Sequence, residues 1–116
     1  MKVYQWQNIP EEKLRPGVTR RAIRSTNAIV VRNEMQPGMD TFPHKHDFEQ
    51  LVMIEKGHVR FTVGEEVHVL GPGSVCVIPP GVLHFADPIG DETVINIDVF
   101  SPVREDYLHM VKYQQE

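Results

Sequence analysis

The feature of this sequence that most limits its fold is the close spacing of its chain-breaking residues. Nine prolines and eight glycines are spread over 116 residues, and they separate short runs rich in Val, Ile, Phe and Thr. No segment has a long helical period. This pattern is typical of an all-β sandwich or barrel. The predicted strands are Val18–Arg24, Ala28–Met35, Gln50–Glu55, Val59–Val63, Val67–Leu70, Val75–Ile78 and Thr93–Phe100.

The two ends of the chain differ from this β-rich centre. Residues 1–17 are predicted to form an N-terminal arm, and residues 18–116 a single barrel domain with a short C-terminal helix. Ser101 suits a helix cap, so we expect the helix over about Pro102–Met110. The β-type segment Met1–Trp6 offers an unpaired edge that a second copy could cover, which predicts a homodimer.

Composition excludes several classes of partner and location. The formal net charge is −4, from 12 basic and 16 acidic residues, and it argues against nucleic acid or an anionic membrane, because both select for basic surfaces. The longest wholly apolar run is only a few residues, so no span of a bilayer is expected. The first residues lack the apolar core of a secretory signal. The single cysteine, Cys76, excludes an intrachain disulfide and fits a reducing, cytoplasmic compartment.

Six histidines are a second notable count. His44 and His46 are one residue apart, so on an extended strand both imidazoles point the same way. Gln50 follows at the same parity, and His84 comes much later, just past the turn Pro79-Pro80-Gly81. Two such histidines, an oxygen donor and a distant third histidine suit a mononuclear metal site, since imidazole binds zinc, copper, iron and nickel.

A His-x-His pair by itself is weak evidence for a metal ion. The alternative is two solvated loop histidines after Pro43. The other three histidines are expected to be solvent-exposed or structural: His58 follows a turn, His68 lies on the exposed face of its strand, and His109 belongs to the terminal helix. A metal site in this chain would therefore use only half of its histidines.

The last predicted strand carries polar side chains among apolar ones. Along Thr93–Phe100, the side chains of Asn96, Asp98 and Phe100 share one face. A buried, unpaired carboxylate is costly, so a partly wet pocket inside the barrel would explain Asp98. The functional interpretation makes Asp98 a general acid or base, Phe100 a packing surface for substrate, and Arg104 a carboxylate clamp. The structural alternative is an Asp98–Arg104 ion pair that fixes the helix to the sheet.

Glycines, histidines and prolines recur at a family-specific spacing. They are Gly38, His44, His46, Gln50 and Gly57 in one segment, and Gly73, Pro79, Gly81 and His84 in a second. This spacing resembles the two motifs of the cupin family, with Gln50 where the family usually has Glu and Pro88 where it usually has Asn. The resemblance implies a double-stranded β-helix, or jelly-roll barrel, that holds one metal ion in its mouth. It also implies the metal ligands, which are His44, His46, Gln50 and His84.

The glutamine in the first motif changes the expected chemistry. Three neutral imidazoles and a neutral amide leave the full dipositive charge on the metal, which favours Lewis-acid chemistry over redox cycling. We therefore expect one divalent transition metal, with zinc, nickel, manganese and iron all open. Glu49 could ligate instead in a shifted register. Gln50 could also indicate weak metal binding or none.

Two segments, His44–Gln50 and Asp98–Leu108, resemble the pectin-degradation cupins, and the similarity covers nearly the whole chain. That family converts 4,5-unsaturated monouronates, released by pectate or alginate lyases, into linear ketonised uronates. The resemblance implies a metal-dependent isomerase of carbohydrate metabolism, a homodimer, and an anionic sugar as its small-molecule partner. It assigns catalysis to Asp98 and Arg104, and substrate binding to Phe100 and Arg104.

Two other interpretations stay open. A non-enzymatic barrel could bind a small molecule such as a sugar, as the ligand-sensing domains of transcription regulators do; no helix-turn-helix is recognisable, so it would sense or sequester in isolation. A cupin dioxygenase or another isomerase could also use this ligand set. Required ferrous iron with oxygen uptake would indicate the dioxygenase, and absence of metal would favour the binding module.

Overall fold

Alternating apolar and polar residues fold into nine strands, and the computed structural model describes residues 1–115. The strands are β1 (Glu12–Arg15), β2 (Val18–Arg24), β3 (Ile29–Met35), β4 (Gln50–Lys56), β5 (His58–Val63), β6 (Glu66–Leu70), β7 (Val75–Ile78), β8 (His84–Ile89) and β9 (Val94–Phe100). They form a six-stranded antiparallel sheet, ordered β1-β2-β3-β9-β4-β7, and a three-stranded sheet, ordered β6-β5-β8. Buried side chains of both sheets pack together, which confirms the all-β jelly-roll prediction.

All seven predicted strands are present within one residue of their predicted ends. The sequence pattern does not predict β1 or β8. β1 reads EKLR and is mostly charged, and β8 contains Asp87 and Pro88. Both are edge strands, where charge and proline are tolerated because one side of the backbone needs no ladder partner.

The N-terminal residues carry little regular structure of their own. Met1–Trp6 contains no strand, and its regular structure is confined to a short 3₁₀ turn at Trp6–Asn8. The predicted unpaired edge needs a second copy to complete a ladder, so it stays a prediction. Within residues 1–17, the extended part is β1, which pairs with β2 of the same chain. The division into an arm and a barrel, and the homodimer, stay predictions.

The C-terminal segment is a 3₁₀ helix over Glu105–Gln115, called the C-terminal helix below. It begins three residues later than predicted, because the Ser101 hydroxyl donates to the Asn27 carbonyl oxygen at 2.8 Å instead of capping a helix. The first turn is closed by the Tyr107 N–H, which donates to the Arg104 carbonyl at 3.2 Å. Among residues 1–115, no helix is long and apolar enough to cross a membrane.

The inward side of the six-stranded sheet has three zones. In the barrel core, side chains of the six-stranded sheet pack against the three-stranded sheet. In the helix-side core, they pack against the C-terminal helix. Between them, inward positions of four strands form a polar belt. The barrel core is Val18, Met35, Val52, Ile54, Val59, Phe61, Ile78 and Val94; the helix-side core is Ala22, Ile29, Val31, Phe100, Met110 and Val111; the polar belt is Arg20, Asn33, Gln50, Asn96 and Asp98. The candidate site lies at this belt.

Candidate metal centre

Three histidines from two distant segments meet at the open end of the barrel. His44 and His84 form an isolated antiparallel bridge, in which each backbone N–H donates to the other residue's carbonyl at 3.1 and 2.9 Å. The Gly81 N–H donates to the His46 carbonyl at 2.7 Å, and the φ of +74° at Gly81 explains why glycine suits this turn. One ring nitrogen of each histidine lies within 4.8 Å of the others.

The backbone fixes which ring nitrogen each histidine presents. In His44, His46 and His84, Nδ1 lies 2.7–2.9 Å from a backbone carbonyl oxygen two residues away. A carbonyl only accepts, so Nδ1 carries the proton and donates. Each Nε2 therefore offers a lone pair, which is the form that binds a metal, and the carbonyl fixes the ring orientation.

The remaining polar atoms fit a cation between these rings. Nε2 of His84 is buried and has no hydrogen-bond partner among the described residues. Nε2 of His46 lies 3.0 Å from Oε1 of Gln50, so two acceptors face each other, and a positive ion would satisfy both. The Gln50 amide N–H donates to Asp98 at 2.7 Å, which directs Oε1 toward the histidines. The three histidines could thus hold a metal ion, with Gln50 as the adjacent oxygen donor.

The surroundings favour the neutral forms of His44 and His84. Burial is the largest cause of the lowered pKa of His44 and of His84, and it outweighs the opposing carbonyl hydrogen bonds. The positive charge of Arg104 lowers both pKa values further, and that of Arg15 lowers the pKa of His44. Neutral imidazole is the metal-binding form. Glu49, the alternative ligand, is exposed, whereas Gln50 is buried beside the rings.

Asp98 is held by three side-chain amides. Its Oδ1 accepts hydrogen bonds from Gln50 at 2.7 Å and from Asn96 at 2.8 Å, and its Oδ2 accepts one from Asn33 at 2.9 Å. Burial raises the pKa of Asp98 to about 6, although these bonds and the charge of Arg104 act in the opposite direction. The carboxylate is therefore fixed in place, and Oδ2 keeps a free lone pair.

Arg104 lies on the cavity wall, but its fork is already paired. Its Nε and Nη2 donate to the Asp106 carboxylate at 3.0 and 2.6 Å, and its Nη1 donates to the Tyr107 hydroxyl at 2.9 Å. The guanidinium also stacks on Tyr107, Phe48 and Phe100, at 3.8, 4.7 and 4.7 Å from the ring centroids. The alternative of an Asp98–Arg104 ion pair is therefore wrong, because both groups have other partners.

A cavity of about 430 Å³ connects these groups, a volume within the range of small-molecule sites. The cavity is lined by all the site residues that the sequence singled out, which are His44, His46, Gln50, His84, Asp98, Phe100 and Arg104. Phe100 is only 1% exposed and packs edge-on against His46, with 5.8 Å between ring centroids. His58, His68 and His109 do not line it.

The sequence did not single out several residues of the same wall. Arg15 and Arg20 line the cavity from β1 and β2, and Asn33 lines it from β3. The signal for Asn33 and Arg20 was their inward parity in strands whose neighbouring inward positions are apolar. Arg15 had no such signal, because β1 does not read as a strand.

The facing sheets and the histidine triad in the barrel mouth define a cupin. The profile of the AraC-like ligand-binding domain matches residues 27–99, so the chain belongs to that family. No curated protein sequence matches the chain.

Solved structures agree with this fold. An RmlC-like cupin from Shewanella frigidimarina is 26% identical with a TM-score of 0.81, and the match covers 90% of this chain and 93% of that chain. KdgF from Halomonas sp. is 23% identical with a TM-score of 0.82, covering 91% and 97%. The polyketide cyclase RemF from Streptomyces resistomycificus is 21% identical with a TM-score of 0.73, covering 88% and 79%. Because one fold carries such different proteins, function has to be argued from the site.

Proposed function

We propose that this chain is a metal-dependent cupin enzyme that ring-opens and ketonises 4,5-unsaturated monouronates, as the pectin-degradation cupins that it resembles do. The observation that carries the proposal is the link from Asp98 through the Gln50 amide to the histidine triad. It places a fixed carboxylate next to the group of atoms that could hold a Lewis-acidic metal. A cytoplasmic homodimer is part of the same proposal.

The proposed reaction is an isomerisation that needs one proton shuttle. Oδ2 of Asp98 takes the proton from the anomeric hydroxyl, the bond from the anomeric carbon to the ring oxygen breaks, and an aldehyde and an enolate oxygen form. Asp98 then returns this proton to carbon 4, and the enolate becomes a ketone at carbon 5. Substrate and product have the same atoms and the same oxidation level, so the reaction needs no co-substrate. When bound, a divalent ion would stabilise the negative charge that develops on the substrate oxygens.

The aromatic wall would orient the sugar acid. Phe100 supports both His46 and Arg104, so in this proposal it sets the position of these groups as well as closing one side of the cavity. Arg104 would contact the substrate carboxylate by exchanging it for Asp106. Because the Asp106 side chain is 58% exposed, water can compensate the displaced carboxylate.

The test is the ultraviolet absorbance of 4,5-unsaturated galacturonate, mixed with protein loaded in turn with zinc, nickel, manganese and ferrous iron. We expect the absorbance of the conjugated double bond to fall faster than it does spontaneously. Asp98→Asn should lower kcat on the order of 100- to 10,000-fold, the range of general acid–base catalysis. An absorbance decay at the spontaneous rate with every metal would overturn the substrate assignment.

A swapped pair of residues provides the matched control for Asp98. In Asp98→Asn alone, the new Nδ2 faces the donor of Asn33, and one hydrogen bond is lost. In the double variant Asp98→Asn with Asn33→Asp, the donor and acceptor exchange places, so part of the thermal stability should return. The hydrogen bond that Asn33 donates to the Asn96 carbonyl at 3.3 Å stays lost. Activity should stay low, because the carboxylate has moved to β3. Recovery of full activity would show that the position of the carboxylate does not matter.

The family match supports a second candidate, a small-molecule-binding module without catalysis, because the matching profile is that of a ligand-binding domain. Such a module would bind a uronate in the same cavity and release it unchanged. Calorimetric binding without any loss of absorbance would favour this candidate over the enzyme. Oxygen uptake that depends on ferrous iron would indicate a dioxygenase instead.

A further inference from the structure

The cavity wall contains one arginine whose charge has no partner within the described residues. Arg15 lies at the end of β1 and stacks on Phe42, with 4.7 Å between its guanidinium carbon and the ring centroid. Among residues 1–115, no carboxylate lies within 4.0 Å of it, and its Nε is buried without a hydrogen-bond partner. The Arg15 side chain is half-buried and has no counter-ion among these residues, so an anion bound here would gain charge-assisted hydrogen bonds without displacing a carboxylate.

The other two arginines of the wall are already neutralised. Arg20 donates from Nε and Nη2 to the Glu12 carboxylate at 3.3 and 3.2 Å. Arg104 donates in the same bidentate manner to Asp106. An anionic ligand would have to displace a carboxylate to use either fork, but it could contact Arg15 without displacing anything. Phe42, on which Arg15 stacks, is only two residues before His44, so this position borders the histidine triad.

A second unpartnered group indicates what else the ligand carries. The Asn96 side chain is 4% exposed and lines the same cavity, and its Oδ1 has no hydrogen-bond partner among residues 1–115. The Asn96 amide nitrogen is committed to Asp98. An amide oxygen only accepts, so its natural partner is a hydroxyl or amine of a ligand.

We infer that Arg15 is the anion-binding residue of this cavity and that its ligand is a small hydroxylated carboxylate, with a hydroxyl directed to Asn96. The inference deepens the proposed function and rests on it only for the choice of a uronate as the carboxylate. It also assigns the primary recognition of the carboxylate to β1, with Arg104 of the same cavity in a supporting position.

The test is calorimetric titration of the metal-loaded full chain with saturated galacturonate, which lacks the double bond and cannot react. We expect Arg15→Gln to weaken galacturonate binding by about 10- to 100-fold, which is the value of a hydrogen bond to a charged group. Arg60→Gln is the control, because it removes the same charge from an exposed position on β5 that does not line the cavity. It should bind as the unchanged protein does.

Two further probes separate the parts of the inference. Galactose, which lacks the carboxylate, should bind weakly and equally to the unchanged protein and to Arg15→Gln. Cyclohexanecarboxylate, which lacks hydroxyls, should bind more weakly than galacturonate, and equal affinity would overturn the hydroxyl contact.

Galacturonate binding that survives Arg15→Gln but is lost in Arg104→Gln would overturn the assignment of Arg15. This outcome is distinct from a failure of the proposed function. The binding test uses saturated galacturonate, whereas the proposed function fails only if unsaturated galacturonate is not turned over. Binding that depends on Arg15 without turnover would retain the inference and reject the enzyme.

Discussion

The polar belt and the barrel core are built on the same strands but follow different physical rules. Along β9, Val94 belongs to the barrel core, Asn96 and Asp98 to the belt, and Phe100 to the helix-side core. The barrel core gains stability from apolar surface removed from water. The belt gains little in this way, because its amides and carboxylate must bind each other to offset their desolvation.

This difference indicates that the polar belt serves function at the expense of the stability that an apolar row would provide. A row of apolar side chains in place of the belt would join the two cores into one continuous interior. The chain instead keeps a carboxylate held by three amides. It also keeps an amide oxygen and an imidazole nitrogen that find no hydrogen-bond partner among residues 1–115. Natural proteins tend to break local rules at functional sites. Substitutions in the belt should therefore change ligand or metal binding, and those in the barrel core should change stability.

The largest expected effect is a loss of metal affinity from a substitution in the site that leaves both cores unchanged. His44→Ala should weaken binding of a divalent metal more than 100-fold, because even the loss of an outer hydrogen-bond partner of a ligand costs 10- to 100-fold. The free energy of unfolding of the metal-free protein should change by less than about 1 kcal/mol, because His44 belongs to neither hydrophobic core cluster. Metal titration with urea denaturation measures both quantities. Unchanged metal affinity would remove His44 from the site, and the exposed His68→Ala provides the control.

Ile54→Ala should have the opposite signature. Ile54 is 2% exposed and lies in the barrel core, next to the belt in the ladder through its pairing with Asn96. We expect the free energy of unfolding to fall by about 2–5 kcal/mol, from lost burial and the cavity left behind. Metal affinity of the folded variant should stay within a few-fold of the unchanged protein. A large loss of affinity would show that the belt depends on the packing beneath it, and that the two regions are not separable.

The sequence predicted most of the fold and the centre of the site. The strands with clear alternation were found because periodicity of 2 is a local signal. The four candidate ligands were found because their segments resemble the two cupin motifs. The structure brings these four side chains together, and it shows Gln50, not Glu49, beside the rings.

The remaining features depend on tertiary contacts that no local pattern records. β8 forms because β5 offers it a ladder, even though Asp87 and Pro88 disfavour a strand. The sequence alone does not show whether Arg104 pairs with Asp106 or with Asp98, because a folded chain could bring either carboxylate next to it. Likewise, the isolation of Arg15 depends on which carboxylates the fold brings near it, and the sequence contains sixteen acidic residues.

The smallest expected effect concerns Glu12, which lies at the edge of the polar belt and pairs with Arg20. Glu12 receives hydrogen bonds from Arg20 of the belt and lies 2.9 Å from Nε2 of His109 on the C-terminal helix. Burial raises the pKa of Glu12, but the hydrogen bonds and charges of Arg20 and His109 together outweigh it, so the pKa falls below its usual 4.5. The folded protein therefore releases this proton more readily than the unfolded chain does, and the stabilisation is present above pH 4.5 and lost as pH falls through the folded-state pKa.

Glu12→Gln should consequently lower the free energy of unfolding by about 0.5 kcal/mol at pH 7, the usual value of a partly exposed ion pair. The difference between the two proteins should shrink as the pH falls below 4.5 and Glu12 becomes protonated in the folded state, as urea denaturation at several pH values would show. Glu11→Gln, which removes the more exposed ion pair with Arg21, is the matched control and should have a smaller effect. A loss of several kcal/mol in Glu12→Gln would instead mean that Arg20 cannot remain in the cavity wall without its carboxylate. The belt would then extend to β1, and the neutralisation of Arg20 would be as necessary to the fold as any contact of the barrel core.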